Sequence, residues 1–242
     1  MTSVDNALRT LLLLWEHPSV RVSDVAAQLG VSVSTAHRLL SALVYRDFAE
    51  KDLTTHAYAS GSVMCPQSSG QGGVAVVARP YLDLLSHELG ETIQLLVLQG
   101  RNVRFIGSSE CTKALRTASR VGLSMPAHCT SGGKVLLADL SPNELRALWP
   151  DPGLPSRTPD SITSRGELER QLARVRRVGY AMSLGEGEPG VAAVAVAVRD
   201  HTGRARAAIA ASGPRSRMSR QLMIAMSESL SSAARRISGS LF

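Results

Sequence analysis

Residues 22–46, VSDVAAQLGVSVSTAHRLLSALVYR, constrain the fold more than any other stretch of the chain, because they read as two short helices meeting at a sharp turn at Gly30. Ser23 is expected to cap the first, with Val25, Ala26 and Leu29 pointing inward and Gly30 supplying a left-handed stop. Ser32 then caps a second helix, in which Ala36, Leu39, Leu40 and Leu43 recur at i, i+3, i+4 and i+7 as one apolar stripe. Its other face carries Ser34, Thr35, His37, Arg38 and Ser41, which are short or positively ended donors with no acidic side chain between Val25 and Arg46. Such a helix fits the major groove of B-DNA, about 12 Å wide. A preceding helix is expected over 4–16, with Val4, Ala7, Leu8, Leu11, Leu12 and Trp15 as its apolar stripe until His17-Pro18 ends it. Three helices around one small core, the third presenting its polar face, is the helix-turn-helix plan.

Residues 48–51 and 57–59 then read as short strands joined by the polar turn 52–56, a hairpin or wing. Ser23, Ser32 and Arg46 at the helix ends, with Lys51, Thr55 and His56 in the hairpin, complete the candidate DNA-facing set. The overall net charge of +7 gives this reading no support, since residues 1–61 hold five Arg or Lys against six Asp or Glu. The basic excess lies downstream, in groups such as Arg174, Arg176, Arg177 and Arg215, Arg217, Arg220, which read as solvated faces or an oligomer surface.

A length of 242 residues suits two domains, and 44% hydrophobic against 19% charged residues indicates folded cores. No apolar run approaches a membrane span and the N-terminus lacks a signal-peptide pattern, so the expected location is the cytoplasm. Cys65, Cys111 and Cys129 are odd in number and widely spaced, which suggests reduced thiols and neither a disulfide framework nor a metal site.

Composition shifts at GSVMCPQSSGQGG, residues 61–73, a Gly- and Ser-rich stretch holding Pro66 that reads as a flexible connector. The expected division is a winged helix-turn-helix domain over 1–61, a linker over 62–73 and a second domain over 74–242. The second opens with a helix over 74–89 that contains Pro80 and stops at Gly90. Strands are expected at 92–98, 103–108 and near 115–119, then helices at 130–140, 142–148 and 165–178, the last two opened by Ser141 with Glu144 and Ser164 with Glu167. Strands at 191–198 and 205–212 flank the turn 200–203, and a final helix carries Leu222, Ala225, Met226, Leu230, Ala233 and Ile237. The fold class is α+β, a mostly antiparallel sheet with helices packed on it.

AAQLGVSVSTAHRLLSAL, ARPYLDLLSHELGETIQL, GLSMPAHCTSGGKVLLA, GEPGVAAVAVAV and RAAIAASGPRSRM, in this order, resemble the isocitrate lyase regulator (IclR) family of bacterial transcription factors along nearly the whole chain. The resemblance implies a winged helix-turn-helix that binds a pseudo-palindromic operator as a homodimer or homotetramer, and a C-terminal effector domain of the GAF/profilin kind. It places the effector around Thr130, Ser131, Gly132 and Gly133, with Ser183, Ala193, Ala210 and Ser212 opposite and Leu115 and Met125 as apolar lining. A helix start rich in small residues has backbone N–H groups that suit a carboxylate, so a small carboxylate or aromatic acid is the expected effector, with no cofactor. Some members carry an acidic or cysteine side chain where this chain has Ser183 and Ala193, so a less polar, less charged site is expected here. Pro66 and residues 68–73 also stand where many members continue a linker helix.

Two other classes compete. An enzyme would need Cys129 and His128 to act as nucleophile and base, yet neighbours in sequence do not face each other, and no GxSxG, HExxH, phosphate-loop or dinucleotide fingerprint is present. The other alternative is a metabolite-sensing or interaction module without sequence-specific DNA binding.

Overall fold

The computed structural model describes residues 3–17, 19–46, 48–52, 56–61, 63 and 71–241. It divides into two compact units, Met1–Gly73 and Val74–Phe242. The first holds α1 (Ser3–Glu16), α2 (Val22–Leu29), α3 (Val33–Tyr45) and the antiparallel pair β1 (Ala49–Lys51) and β2 (Tyr58–Ser60). Gly30 takes φ 67° and ψ 36°, the left-handed conformation that turns the chain between α2 and α3 at no steric cost. Val25, Ala26 and Leu29 of α2, Ala36, Leu40 and Leu43 of α3, and Leu13 and Leu14 of α1 close over Val20, Ala49 and Tyr58. Val20 exchanges both backbone bonds with Tyr58, at 2.7 and 2.8 Å, which ties the start of α2 to the hairpin.

Two local expectations fail. Ser23 does not cap α2: the cap position is Arg21, whose N–H donates to Asp24 Oδ2 at 3.0 Å, and Ser23 lies inside the first turn, bonded to Asp24 Oδ1 at 3.2 Å. The apolar stripe of α1 exists but is not the packed face, since Val4, Leu8, Leu12 and Trp15 are exposed and Trp15 keeps 65% of its surface. Thr10, Leu13 and Leu14 go inward instead, and Thr10 satisfies its hydroxyl on Asn6 O at 2.7 Å. Periodicity locates a stripe without saying what covers it.

The second unit is a six-stranded, wholly antiparallel sheet in the order β5-β4-β3-β8-β7-β6. Its strands are β3 (Thr92–Gln99), β4 (Asn102–Ser109), β5 (Ser124–Pro126), β6 (Tyr180–Leu184), β7 (Val191–Arg199) and β8 (Ala205–Pro214). Period-two alternation sorts their side chains onto two faces. Ile93, Leu95, Ile209 and Ala211 join the core under α4 (Gln71–Leu89) and α8 (Arg220–Leu241). Leu96, Phe105, Ala208 and Ala210 join the core with α5 (Ser131–Leu137), α6 (Pro142–Leu148) and α7 (Arg165–Val178). Among the described residues no helix is long and apolar enough to cross a membrane.

α4 starts at Gln71, so residues 71–73 are helical and not part of a flexible connector, while residues 62 and 64–70, Pro66 included, lie outside the described residues. No strand forms at 115–119. That segment runs beside β3, where Thr92 Oγ1 donates to Thr117 O at 2.6 Å and Gln94 Nε2 to Ala118 O at 3.3 Å, so side chains take the place of a ladder. β5 and β6 lack a counterpart in the expected elements. In α8, Met223 and Ala234 point inward, while Leu222 and Ala225 face solvent. Reciprocal capping occurs at Ser141 and Glu144; Ser164 Oγ accepts the Glu167 N–H at 3.3 Å.

Candidate functional site

In the first unit, α3 buries one stripe and leaves Ser34, Thr35, His37, Arg38 and Ser41 exposed, as the sequence pattern requires. Ser32 Oγ caps α3 by accepting the Thr35 N–H at 3.2 Å and also lies 2.9 Å from Ser34 Oγ. His37 Nδ1 is 3.4 Å from Ser41 Oγ, one turn along. Arg38 is exposed and makes no ion pair among the described residues. Arg46 stacks on the Tyr45 ring at 5.4 Å and Lys51 on the Tyr58 ring at 5.6 Å, which holds two exposed cations at the end of α3 and in the hairpin. His56 sits at φ 56° with its N–H on Asp52 O, while Thr55 lies outside the described residues.

In the second unit, a narrow cleft of about 40 Å³ opens on the sheet face that carries α5. Register builds its floor: Ser183 pairs with Ala193 and Ala193 with Ser212 across β6, β7 and β8, and Ala210 pairs with Gln94 of β3. These small side chains leave the space open. Thr130, Ser131 and Gly132 at the start of α5 form one wall, with Met125 of β5 beside them. The Ser183 hydroxyl donates to Cys129 O at 3.1 Å, fixing strand to turn.

Two expected lining residues are elsewhere. Leu115 is 66% exposed, and its carbonyl accepts from Arg217 Nη2 at 2.8 Å. Gly133 faces the backbone of the 3-10 turn Ala127–Cys129, where an added Cβ would lie 2.1 Å from Ala127 O, so glycine is required there for packing. The Gly133 N–H is also taken by Thr130 Oγ1 at 3.0 Å, which leaves only the first backbone donors of α5 for an anion.

The cleft is more charged than its small residues imply. Arg120 and Glu188 both line it and pair through Nη2 and Oε2, with the guanidinium 5.9 Å from the centre of the Phe105 ring, another lining side chain. Gln94 was detectable as a polar residue inside a buried strand. Arg120 and Glu188 lie on irregular segments, where spacing carries no signal.

Behind this cleft, Lys134 is almost wholly buried and donates from Nζ to both Glu186 oxygens at 2.7 Å and to Gln171 Oε1 at 3.0 Å. Burial pushes the Lys134 pKa down and the Glu186 pKa up, each against the pull of the other. His128 is buried, with Nε2 on Pro155 O at 2.9 Å and its ring edge-on to Trp149 at 5.8 Å, and desolvation lowers its pKa. Desolvation raises Cys129, whose Sγ lies 3.8 Å from Ser161 Oγ, so neither side chain is set up for nucleophilic attack. Among the described residues no group of three or more His, Cys, Asp or Glu could hold a metal ion.

Two family models match the chain: the IclR helix-turn-helix domain over residues 3–53, and the bacterial transcriptional regulator IclR C-terminal domain over 69–239. The HTH-type transcriptional regulator BhcR of Paracoccus denitrificans is 32% identical over 239 residues, covering 98% of this chain and 86% of that protein. The HTH-type transcriptional regulator XynR of Escherichia coli is 32% identical over 243 residues, covering 99% and 96%. Among solved structures, an IclR homologue from Microbacterium hydrocarbonoxydans complexed with 4-hydroxybenzoate superposes with a TM-score of 0.65 at 25% identity over 99% of both chains. With a helix-turn-helix unit, a sheet-and-helix effector-type unit and family matches spanning nearly its full length, this chain belongs to the IclR family of DNA-binding transcriptional regulators.

Proposed function

We propose that residues 1–61 bind operator DNA through α3 and the hairpin, that residues 74–242 control that binding, and that the controlling ligand is a small monocarboxylic acid seated in the cleft. The observation that carries the proposal is Arg120, the one cation among the lining residues of a cleft otherwise made of small, apolar or uncharged groups and Glu188. A guanidinium at such a mouth binds a carboxylate in a fixed fork geometry, and the adjoining Phe105 and Leu96 suit a flat apolar body. The relative that holds 4-hydroxybenzoate supports an aromatic acid. Glu188 pairs with that guanidinium, so a carboxylate bound there competes with it.

The protein acts as a homodimer or a dimer of dimers on this reading. The outward stripe Val4, Leu8, Leu12 and Trp15 of α1 supports self-association, because burying it stabilises a pair of DNA-binding units. Ligand control is then linkage: the acid favours one arrangement of the subunits, and with it one separation of the two recognition helices.

Calorimetric titration with 4-hydroxybenzoate and a panel of small aromatic and aliphatic acids tests the ligand class. Arg120→Ser is expected to weaken the best binder about 10- to 150-fold, corresponding to roughly 1.5–3 kcal/mol for a charged hydrogen-bonded contact. Glu188→Gln removes an exposed competitor worth about 0.4–1 kcal/mol and is expected to tighten the same acid about two- to fivefold. No binding by any acid, or equal affinity in the Arg120 variant, would overturn the proposal.

A further inference from the structure

A second cavity in the C-terminal unit, of about 220 Å³, opens along the edge strand β6 between α7 and the start of α8. It lies on the other side of α5 and the 185–188 turn from the effector cleft: Ser131, Gly132, Gly187 and Glu188 line the cleft, whereas Lys134 and Glu186 line this cavity. Its volume is smaller than the roughly 300–1,000 Å³ of sites for drug-sized ligands, so the cavity suits only a compact molecule.

The chemistry of its walls is unequal. Lys134 and Glu186 neutralise each other at the inner end. Arg174 of α7 and Arg220 of α8 also line it, are exposed, and form no ion pair among the described residues, so the cavity carries two uncompensated positive charges. Gln171 uses Oε1 to accept from Lys134, which turns its amide nitrogen free as a further donor, and Tyr180 adds a phenol. Two guanidiniums, an amide N–H and a phenol O–H line one space, a donor-rich set suited to an oxyanion with several acceptor oxygens. A buried ion pair does not by itself stabilise a fold over an apolar pair, so packing alone does not account for Lys134 and Glu186 at this wall.

We infer that this cavity is a second small-molecule site, separate from the effector cleft, that takes a compact doubly charged oxyanion through Arg174 and Arg220. A phosphate monoester and a dicarboxylate share that chemistry. The inference does not rest on the ligand proposed for the cleft.

The test is calorimetric titration of the full chain with inorganic phosphate and, separately, with succinate, at constant ionic strength set by chloride. Saturable binding of at least one of the two is expected, and whichever binds more tightly names the source. Arg174→Ser with Arg220→Ser is expected to weaken that binding at least tenfold, while Arg177→Ser, an equal charge change at an exposed α7 position outside the lining, leaves it within twofold. Arg120→Ser is also expected to leave it within twofold. Absence of saturable binding by either anion, retention in the double variant, an equal loss in the Arg177 variant, or loss in the Arg120 variant would each overturn the inference. All the changed residues except Arg120 are exposed, and an unchanged melting temperature confirms that the double variant remains folded.

Discussion

Lys134→Ala is expected to lower the melting temperature of the C-terminal unit by about 6–20 °C. Removing the ammonium strands Glu186 as an uncompensated buried charge, which costs about 3–5 kcal/mol, and each kcal/mol moves the melting temperature of a unit this size by about 2–4 °C. The deficit depends on pH with a definite sign. Burial already raises the Glu186 pKa above its ordinary value of 4.5, and without Lys134 only a backbone hydrogen bond from Leu184 opposes that rise. A carboxyl with a raised folded-state pKa favours the fold when protonated, and that contribution is lost as pH rises through the folded value. The variant should therefore be weakest at neutral pH and recover towards the wild type as the solution is acidified. Lys134→Met with Glu186→Leu removes both charges and should regain most of the loss. Calorimetry on the full chain, which resolves the transitions of separate units, checks all three. A Lys134→Ala protein melting within 1 °C of the wild type at neutral pH would show that the pair is not buried as described.

Arg38→Ala is expected to abolish retardation of operator DNA at protein concentrations that saturate the wild type, with no change in oligomer mass. A base contact by one arginine is worth about 1–3 kcal/mol, and two copies reading two half-sites lose about 2–6 kcal/mol together, or roughly 30- to 10⁴-fold in affinity. The effect is severe because the unit has little electrostatic reserve: residues 1–61 carry a slight net negative charge, so few other cations hold the DNA. Measuring at two salt concentrations separates the possible roles. A base contact leaves the salt dependence nearly unchanged, whereas a phosphate contact lowers its slope by about two, one for each copy. Retained operator binding in the variant would remove α3 as the reading element.

The helix-turn-helix was legible because its signals are local. Gly30, the Ser32 cap and the stripe of Ala36, Leu40 and Leu43 each act within a turn or two, and the same residues carry those roles in the structure. Much of the cleft was legible too: Met125, Thr130, Ser131, Gly132, Ser183, Ala193, Ala210 and Ser212 were expected together through family resemblance and do share one wall or floor. Leu115 was misplaced because its segment runs beside β3 through side-chain bonds and makes no ladder. Arg120, on the same irregular segment, was missed for the same reason.

Local signals in the chain specify its long helices and the strands β3, β4, β7 and β8, the polar face of α3, and a positive charge that lies outside the DNA-binding unit. They do so because capping, periodicity and charge counting depend on neighbours a few residues apart. The pairing of β3 with β8, the meeting of Arg120 and Glu188 across the cleft, and the burial of Lys134 on Glu186 arise only when the chain packs. Those partners are separated by 68 residues for Arg120 and Glu188 and by 52 for Lys134 and Glu186, and nothing in local patterning records a contact made by closing so long a loop.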